Sequence, residues 1–431
     1  MTYSAAIEYL YQLQKHGIRL GLETMRSLLQ RIGHPERRFR SLHIGGTNGK
    51  GSTAAMAAAI LQAAGLRVGL YTSPHLVEFR ERIRVNGDLI QEQPVAELAS
   101  RVGAAAGNTL DPTFFEVTTA MALLHFAEFQ VDVAVLEVGL GGRFDATNVV
   151  EPAACAITTV ALDHQEYLGR THEAIAFEKA GIIKPLVPVV IGRMGQEASG
   201  VISRIAQERR APLWRLGHEF FVEGDSPEQF TYRGLSGLFE GLRCGLAGRH
   251  QLDNAACVLA MLEAAGEIGG PVDETAVRQG LQSVTWEGRL ELIEEYPRVL
   301  LDGAHNPAAA TALAGSLQEY LSRSPDSRLI LVWGMMRDKD HRGFIEPLLP
   351  LASEIVLTQA GLARSATVQE LRGALAGWRR PIIEASLPIE ALLAAKTRAA
   401  FGDLICVTGS LMLLGDLKAA VRGCVVSPIR G

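Results

Sequence analysis

Short, unbroken apolar runs alternate along most of the chain with longer stretches whose apolar residues recur at helical spacing. The runs "SLHIGG", "RVGLYT", "VDVAVLEVG", "ACAITTV" and "VPVVIG" read as strands, with helices over 114–129 and 171–181 between them. Continuous apolar runs separated by helices indicate a parallel sheet covered on both faces. "STAAMAAAILQAAG" reads as an Ala-rich helix closed by Gly65. From residue 298 a second series begins, with "RVLLDGAHNP", "RLILVWGMM", "EIVLTQ", "PIIEA" and "LICVTGS" each followed by a helical pattern. It forms a second α/β unit of ordinary domain size. The intervening "WEGRLELIEEYPRV" reads as a hinge. In such folds the active residues lie on loops at the carboxyl ends of the strands.

A length of 431 residues exceeds one ordinary core, so two domains are expected. With 48% hydrophobic and 21% charged residues the chain folds as a globular protein rather than remaining disordered. A net charge of −5 and the lack of any Lys/Arg-rich run exclude general attraction to nucleic acid. The five cysteines are scattered without a C-x-x-C pair and read as reduced thiols rather than as disulfides or metal ligands. The N-terminal segment has no signal-peptide core, and no apolar stretch reaches the roughly 18 residues of a membrane span. A cytoplasmic protein without membrane contact is expected.

The stretch "HIGGTNGKGSTAAMAAAIL", His43 to Leu61, has strand, glycines, lysine, hydroxyls and helix start in the order of a phosphate loop. It departs from G-x-x-x-x-G-K-S/T by placing Gly51 between Lys50 and Ser52. The helix start supplies free N–H donors and a positive dipole end for a polyphosphate. The base-reading N-K-x-D segment of GTPases is absent, leaving a kinase or a ligase.

Other polar residues stand at strand ends. Ser73 is either a turn residue or a hydroxyl ligand for Mg²⁺ near that loop. Glu137, inside an apolar strand, is either a Mg²⁺ ligand or the partner of an arginine such as Arg143. Asp163-His164 repeats the pattern after "TTVAL". Lys179 by itself reads as a surface lysine, relevant only if it is held near a metal or modified. Asn254, Asp302, His305, Asn306 and Ser410 stand at helix starts, where capping competes with ligand binding.

In order, "GTNGKGST", "YTSPHL", "EVGLGGRFDATN", "ALDHQEYLG", "EKAGI", "LDN", "GRLE", "DGAHNP" and "VTGS" closely resemble the folylpolyglutamate synthase/dihydrofolate synthase family of the Mur ligase superfamily. The resemblance spans "LGLETM" at residue 20 to "VTGS" at 407–410, and the superfamily's loop takes the G-K-G-S/T form. It implies an α/β protein with an N-terminal P-loop nucleotide-binding domain, its parallel sheet flanked by helices, and a smaller C-terminal Rossmann-like α/β domain. The division is 1–295 for ATP and pterin binding and 296–431 for glutamate.

Carried over by residue, the resemblance gives Gly49, Lys50, Gly51 and Ser52 to the ATP phosphates, and Ser73, Glu137 and His164 to Mg²⁺. Asn254, Arg289 and Asp302 match nucleotide contacts, and His305 and Ser410 match residues linked to the incoming glutamate. Gly21, Leu22, Glu23, Thr24, Phe115, Phe144, Asp145 and Ala146 match the pterin-substrate region, and Lys179 matches a lysine carbamylated in the family. Lys50, Lys179 and His305 are the catalytic candidates. One departure is visible: Glu287-Gly288-Arg289 stands where Pro-Gly-Arg is frequent, which affects the local hinge geometry.

The activity implied is ATP-dependent addition of L-glutamate to dihydropteroate and to reduced folates through an acyl phosphate, by a monomer. The forms "SPHLVEFRER" and "GLGGRFDATN" resemble bifunctional members, and polyglutamylation alone is the alternative. A cell-wall precursor synthetase would need a separate N-terminal domain, yet only about 40 residues precede the loop. A P-loop kinase is disfavoured by the second α/β unit bearing "DGAHNP".

Overall fold

The computed structural model describes residues 1–427 apart from Ile18, Leu20 and Ser236. The first residue of "LGLETM" therefore lies outside the described residues. The first sheet has eight strands: β1 Arg40–Gly45, β2 Val68–Tyr71, β3 Ile83–Val85, β4 Asp88–Leu89, β5 Val133–Glu137, β6 Ala154–Ile157, β7 Val189–Ile191 and β8 Leu213–Arg215. Their order is β4-β3-β2-β5-β1-β6-β7-β8. The six strands from β2 to β8 run parallel, as the continuous apolar runs require, and every residue of β2, β5, β6 and β7 is buried.

The sheet is not wholly parallel, because β3 and β4 add an antiparallel edge. They occupy the charged loop after Ser73, where Asn86-Gly87 makes the hairpin turn with both residues at positive φ. A three-stranded antiparallel sheet follows, β9 Phe221–Ser226, β10 Gln229–Arg233 and β11 Leu238–Leu242, in a region whose sequence carries no clear alternation.

The Ala-rich helix Lys50–Ala63 is buried over most of its surface, between the sheet and the helices His250–Ala265 and Glu274–Ser283. Its small side chains permit close approach: a Cβ on Gly280 would lie 2.4 Å from the Ile60 Cα.

The second sheet holds β12 Glu291–Glu295, β13 Arg298–Asp302, β14 Leu329–Trp333, β15 Ala352–Leu357, β16 Ile382–Glu384 and β17 Leu404–Thr408. Their order is β12-β13-β17-β14-β15-β16, parallel except for β12. The middle of the stretch read as a hinge is thus an edge strand, and its end opens β13, so the connection shortens to 284–290. A second tie joins the two sheets. Leu76 and Val77, after β2, belong to the core beside the helix Leu411–Arg422, and Ser427 N–H donates to the Val77 carbonyl at 2.8 Å. No helix among the described residues is long and apolar enough to cross a membrane.

Candidate active site

The phosphate-loop stretch leaves β1 at Gly45 and enters its helix at Lys50. Gly46 and Gly49 both have positive φ; a Cβ would lie 2.0 Å from Thr158 Oγ1 at the first and 2.4 Å from Asn254 Oδ1 at the second. Glycine is required at both. The loop is tied to the end of β6: Asn48 N–H donates to Thr159 Oγ1 at 3.0 Å, and Thr158 Oγ1 donates to the Asn48 carbonyl at 2.6 Å. Gly51 has a steric reason too, since a Cβ there would lie 3.0 Å from Trp286 Nε1 and 3.7 Å from Glu137 Oε1. The extra glycine leaves room for the connection between the sheets. Buried Ser52 lies beside Gln251, whose Nε2 is 3.4 Å from its hydroxyl.

Two lysines converge on one carbonyl. Lys50 Nζ donates to Gly46 O at 3.1 Å and to Thr47 O at 3.2 Å, and Lys179 Nζ donates to Gly46 O at 2.9 Å. Lys179, on the helix His172–Ala180, is 3% exposed, so the surface reading is wrong. The helix turns this side chain inward, a placement that sequence spacing does not reveal. Burial, then repulsion from Lys50, lowers the Lys179 pKa to about 7. Burial lowers that of Lys50 as well, opposed by Glu137.

Glu137 closes β5, buried, and its Oε2 accepts the Ser73 N–H at 3.0 Å. Burial raises its pKa, with Lys50 the largest opposing charge. Arg143 instead pairs with Glu178 at 2.6 Å, which removes the structural alternative considered for Glu137.

Asp163, after β6, receives the second sheet's loops. Its Oδ1 accepts Lys339 Nζ at 2.5 Å and the His164 N–H at 2.8 Å. Its Oδ2 accepts Asn306 Nδ2 at 3.0 Å and lies 3.6 Å from His305 Nε2. Burial raises this carboxyl's pKa, but His305, His164 and Lys339 outweigh it and hold the group below the usual carboxylate range. His164 sits at φ 48, and burial lowers its imidazole to about 4 despite Asp163, leaving it neutral.

Asn306 caps the helix Pro307–Ser322 through the Ala309 N–H, and its Nδ2 also donates to Asn48 Oδ1 at 2.9 Å. Asp302, ending β13, accepts the N–H groups of Leu290 at 3.0 Å and Ala304 at 2.9 Å. His305 Nδ1 donates to the Gly303 carbonyl at 2.8 Å, and burial lowers its pKa. Its Nε2 then carries the lone pair.

These groups enclose a cleft of about 390 Å³, lined by residues 46–52, Ser73, Glu137, His164, Lys179, Asn254, Arg289, Asp302 and His305. The remaining candidates are dispersed. Phe115 lies behind the cleft, where a Cβ on Gly139 would meet its ring at 2.4 Å. Ser410 is buried as the cap of the helix Leu411–Arg422, accepting the Met412 N–H at 3.1 Å, while Leu411 faces the cleft. Asp145 is consumed by its own loop, accepting from Leu140 N, Thr147 N and Thr147 Oγ1 at 2.8, 3.0 and 2.5 Å. Ala146 is buried in the following turn. Leu22, Glu23 and Phe144 line a separate cavity, with Gly21 and Thr24 flanking in sequence.

Sequence reasoning missed Lys339. It stands in "MRDKDH", where a lysine flanked by two aspartates after a strand could have raised attention.

Among the described residues no three His, Cys, Asp or Glu side chains gather into a protein-only metal cage. The donors that line the cleft, a hydroxyl, a carboxylate and a neutral imidazole, fit a Mg²⁺ that keeps water and phosphate ligands.

The Mur ligase middle domain family matches residues 44–262, and the Mur ligase glutamate ligase domain matches 288–411. A Bacillus subtilis protein named dihydrofolate synthase/folylpolyglutamate synthase is 37% identical over 98% of this chain and 99% of its own length. The structure of E. coli FolC in complex with DHPP and ADP superposes with a TM-score of 0.90 at 34% identity, covering 98% of each chain. A bifunctional folylpolyglutamate synthase/dihydrofolate synthase from Yersinia pestis, complexed with AMPPNP and Mn ion, gives 0.88 at 33% identity over 98% of both chains. Sequence and architecture agree over nearly the whole length, and the chain belongs to the dihydrofolate synthase/folylpolyglutamate synthase family of Mur ligases.

Proposed function

We propose that the protein is an ATP-dependent amide ligase that joins L-glutamate to dihydropteroate and to reduced folates. The observation that carries this reading is one cleft in which a phosphate-loop lysine, a buried carboxylate and a second sheet's histidine face each other. Gly49, Lys50, Gly51 and Ser52 would hold the ATP phosphates, and Asn254, Arg289 and Asp302 the rest of the nucleotide. Ser73, Glu137 and His164 would hold Mg²⁺, which supplies charge neutralisation for the transferring phosphoryl group.

The acceptor carboxylate attacks the γ-phosphorus, the bond to the β-phosphate oxygen breaks, and ADP leaves. The glutamate amine then attacks the acyl carbon, the carbon–oxygen bond to phosphate breaks, and phosphate departs. His305 Nε2, unprotonated, takes the amine proton. Ser410, at the end of β17, positions glutamate through its helix start, and Leu22, Phe115 and Phe144 flank the pterin. The working division is 1–295 for ATP and pterin and 296–431 for glutamate, with closure about the short connection near Arg289 excluding water from the acyl phosphate. All these groups come from one chain, so a monomer suffices.

Lys179 fits the carbamylation expected of it. An amine with pKa about 7 is roughly half unprotonated at neutral pH, and the free amine adds CO₂, releasing one proton. The carbamate would replace a second cation at the Gly46 carbonyl by an anion facing Lys50. Native mass spectrometry in bicarbonate should find the CO₂ adduct on wild type and not on Lys179→Met; equal masses would end that assignment.

The activity is tested by ADP release with Mg²⁺-ATP and L-glutamate, comparing dihydropteroate with tetrahydrofolate. Turnover with both is expected. Turnover with tetrahydrofolate alone would leave a polyglutamate synthase, and glutamate-independent ADP formation would overturn the ligase.

A further inference from the structure

The connection between the sheets delivers Arg289 to the cleft on backbone that needs support. Gly288 has φ 72 and Leu290 has φ 47, so Arg289 stands between two left-handed residues, and a leucine keeps that conformation only where its surroundings impose it. Three hydrogen bonds hold the turn. Asp302 Oδ2 accepts the Leu290 N–H at 3.0 Å, the Gly303 N–H donates to the Gly288 carbonyl at 2.8 Å, and Glu291 Oε2 accepts the Gly288 N–H at 2.7 Å. The Arg289 side chain then passes close over Gly303, where a Cβ would lie 2.6 Å from its Nη1. The guanidinium itself has no hydrogen-bond or ion-pair partner among the described residues. Its position is therefore set by the turn that carries it.

What fixes Glu291 comes from the helix Leu411–Arg422. Lys418, on that helix, is 6% exposed, and its three N–H groups meet three carboxylate oxygens: Glu291 Oε1 at 2.5 Å, Glu291 Oε2 at 2.7 Å and Glu287 Oε2 at 2.9 Å. Arg422, one turn further on, donates to Glu287 Oε1 at 2.7 Å. Glu287 and Glu291 bracket Gly288-Arg289-Leu290 in sequence and converge on one ammonium. Burial acts to raise the Glu287 pKa, but Lys418 and Arg422 outweigh it and hold the group below its ordinary value. Exposed ion pairs contribute little, whereas a buried cation cannot lose its partners without leaving uncompensated charge. Glu287 is also where this chain departs from Pro-Gly-Arg, so that arm of the clamp comes with the departure.

We propose that Lys418 is a positioning residue for nucleotide binding: by clamping Glu287 and Glu291 it fixes the turn that presents Arg289 to ATP. The inference rests on the assignment of Arg289 to the nucleotide. Lys418 does not line the cleft, so its effect passes through the backbone between the two glutamates. Without the clamp Arg289 keeps its charge but loses its fixed approach to the nucleotide. The helix that carries Lys418 begins at the Ser410 cap, so one rigid element ties the turn behind Arg289 to the helix start assigned to glutamate.

The test is a double-mutant cycle read by titration calorimetry of the full chain with Mg²⁺-AMPPNP. Arg289→Met should weaken binding about tenfold and Lys418→Met about fivefold, and the double variant should be no weaker than Arg289→Met alone. Glu291→Gln removes one arm of the clamp from the edge strand and leaves the buried cation with Glu287. It should show a smaller loss that likewise vanishes in the Arg289→Met background, which keeps the cycle readable if Lys418→Met folds poorly. Losses that multiply, to about fiftyfold in the double variant, or wild-type affinity in Lys418→Met, overturn the positioning role while nucleotide binding and the ligase reading stand. Wild-type affinity in Arg289→Met overturns it through the assignment on which it rests. A wild type that binds no Mg²⁺-AMPPNP overturns the ligase reading together with it.

Discussion

The two sheets supply the cleft with groups of opposite character. From the first come half-buried Lys50 and buried Glu137 and Lys179, charges with few partners, each displaced by desolvation toward its neutral form. From the second come Asp302, Asn306 and Ser410, whose side chains are already satisfied by backbone N–H groups at strand ends and helix starts. The first set is poised to gain from an incoming charged ligand; the second is a frame that fixes where that ligand lies. Asp163 stands on the seam, a first-sheet carboxylate held ionised by second-sheet donors. Reactivity and rigidity are thus divided between the units, and bringing them together completes the site.

The largest expected effect separates the two roles. Lys50→Ala should reduce ligation on the order of 10³-fold, about 4 kcal/mol of transition-state stabilisation, while the thermal midpoint stays level or rises. Removing a desolvated cation held by two carbonyls relieves the fold as much as it costs. Asp163→Ala should behave the other way. It strips the partner from Lys339 and Asn306 and should cost about 3 kcal/mol in denaturant unfolding, with the loss concentrated in the docking of the second sheet. Equal destabilisation by both substitutions would abolish the division.

Lys179 sharpens the comparison through pH. Its folded pKa, about 7, lies below the unfolded value near 10.5, so between them the unfolded chain binds more protons. Stability contributed by this site therefore rises with pH above about 7, by about 2 kcal/mol up to roughly pH 8.5 in CO₂-free buffer. Lys179→Met should remove that rise. Urea midpoints at the two pH values decide it, and identical slopes in both proteins would mean that the amine is not desolvated as its burial implies.

What the sequence shows and hides follows the same line. The strands, the glycine loop and the polar residues at strand ends were legible because apolar continuity and Gly-Lys-Ser/Thr spacing are local signals. Lys179 stood out only through the family resemblance and not from its local pattern, because a helix end gives no hint of which side of a sheet it will be folded against. Lys339 was missed for a related reason: its meaning is the carboxylate it reaches across the seam, 176 positions away. The strand β12 was hidden by its exposure, since Leu292 and Ile293 face solvent and Glu residues fill the rest, so the stretch resembles a linker. The pairing of Glu137 with Arg143 failed because Arg143 pairs with Glu178 from the neighbouring helix, while Glu137 accepts the Ser73 N–H.

The smallest effect tests the seam itself, away from any charge. Gly415, on the helix Leu411–Arg422, lies against the loop that follows Ser73, and a Cβ there would sit 2.1 Å from the Leu76 carbonyl oxygen. Backbone cannot yield as a flexible side chain does, so either the loop or the helix must shift. Gly415→Ala should cost about 1 to 2 kcal/mol, with any gain in helix propensity offset by overpacking. Because Leu76 is only three residues from Ser73, the shift should also move the Ser73 hydroxyl relative to Glu137, whose carboxylate accepts the Ser73 N–H. The kinetic result expected is a higher Mg²⁺ requirement with little change in the KM for glutamate, since His305 and the second-sheet frame stay in register. A variant that loses stability but keeps wild-type Mg²⁺ dependence would show that the loop only packs against the second sheet. One that raises the Mg²⁺ requirement would make the Leu76–Gly415 contact the route by which the second sheet adjusts the first sheet's poised charges.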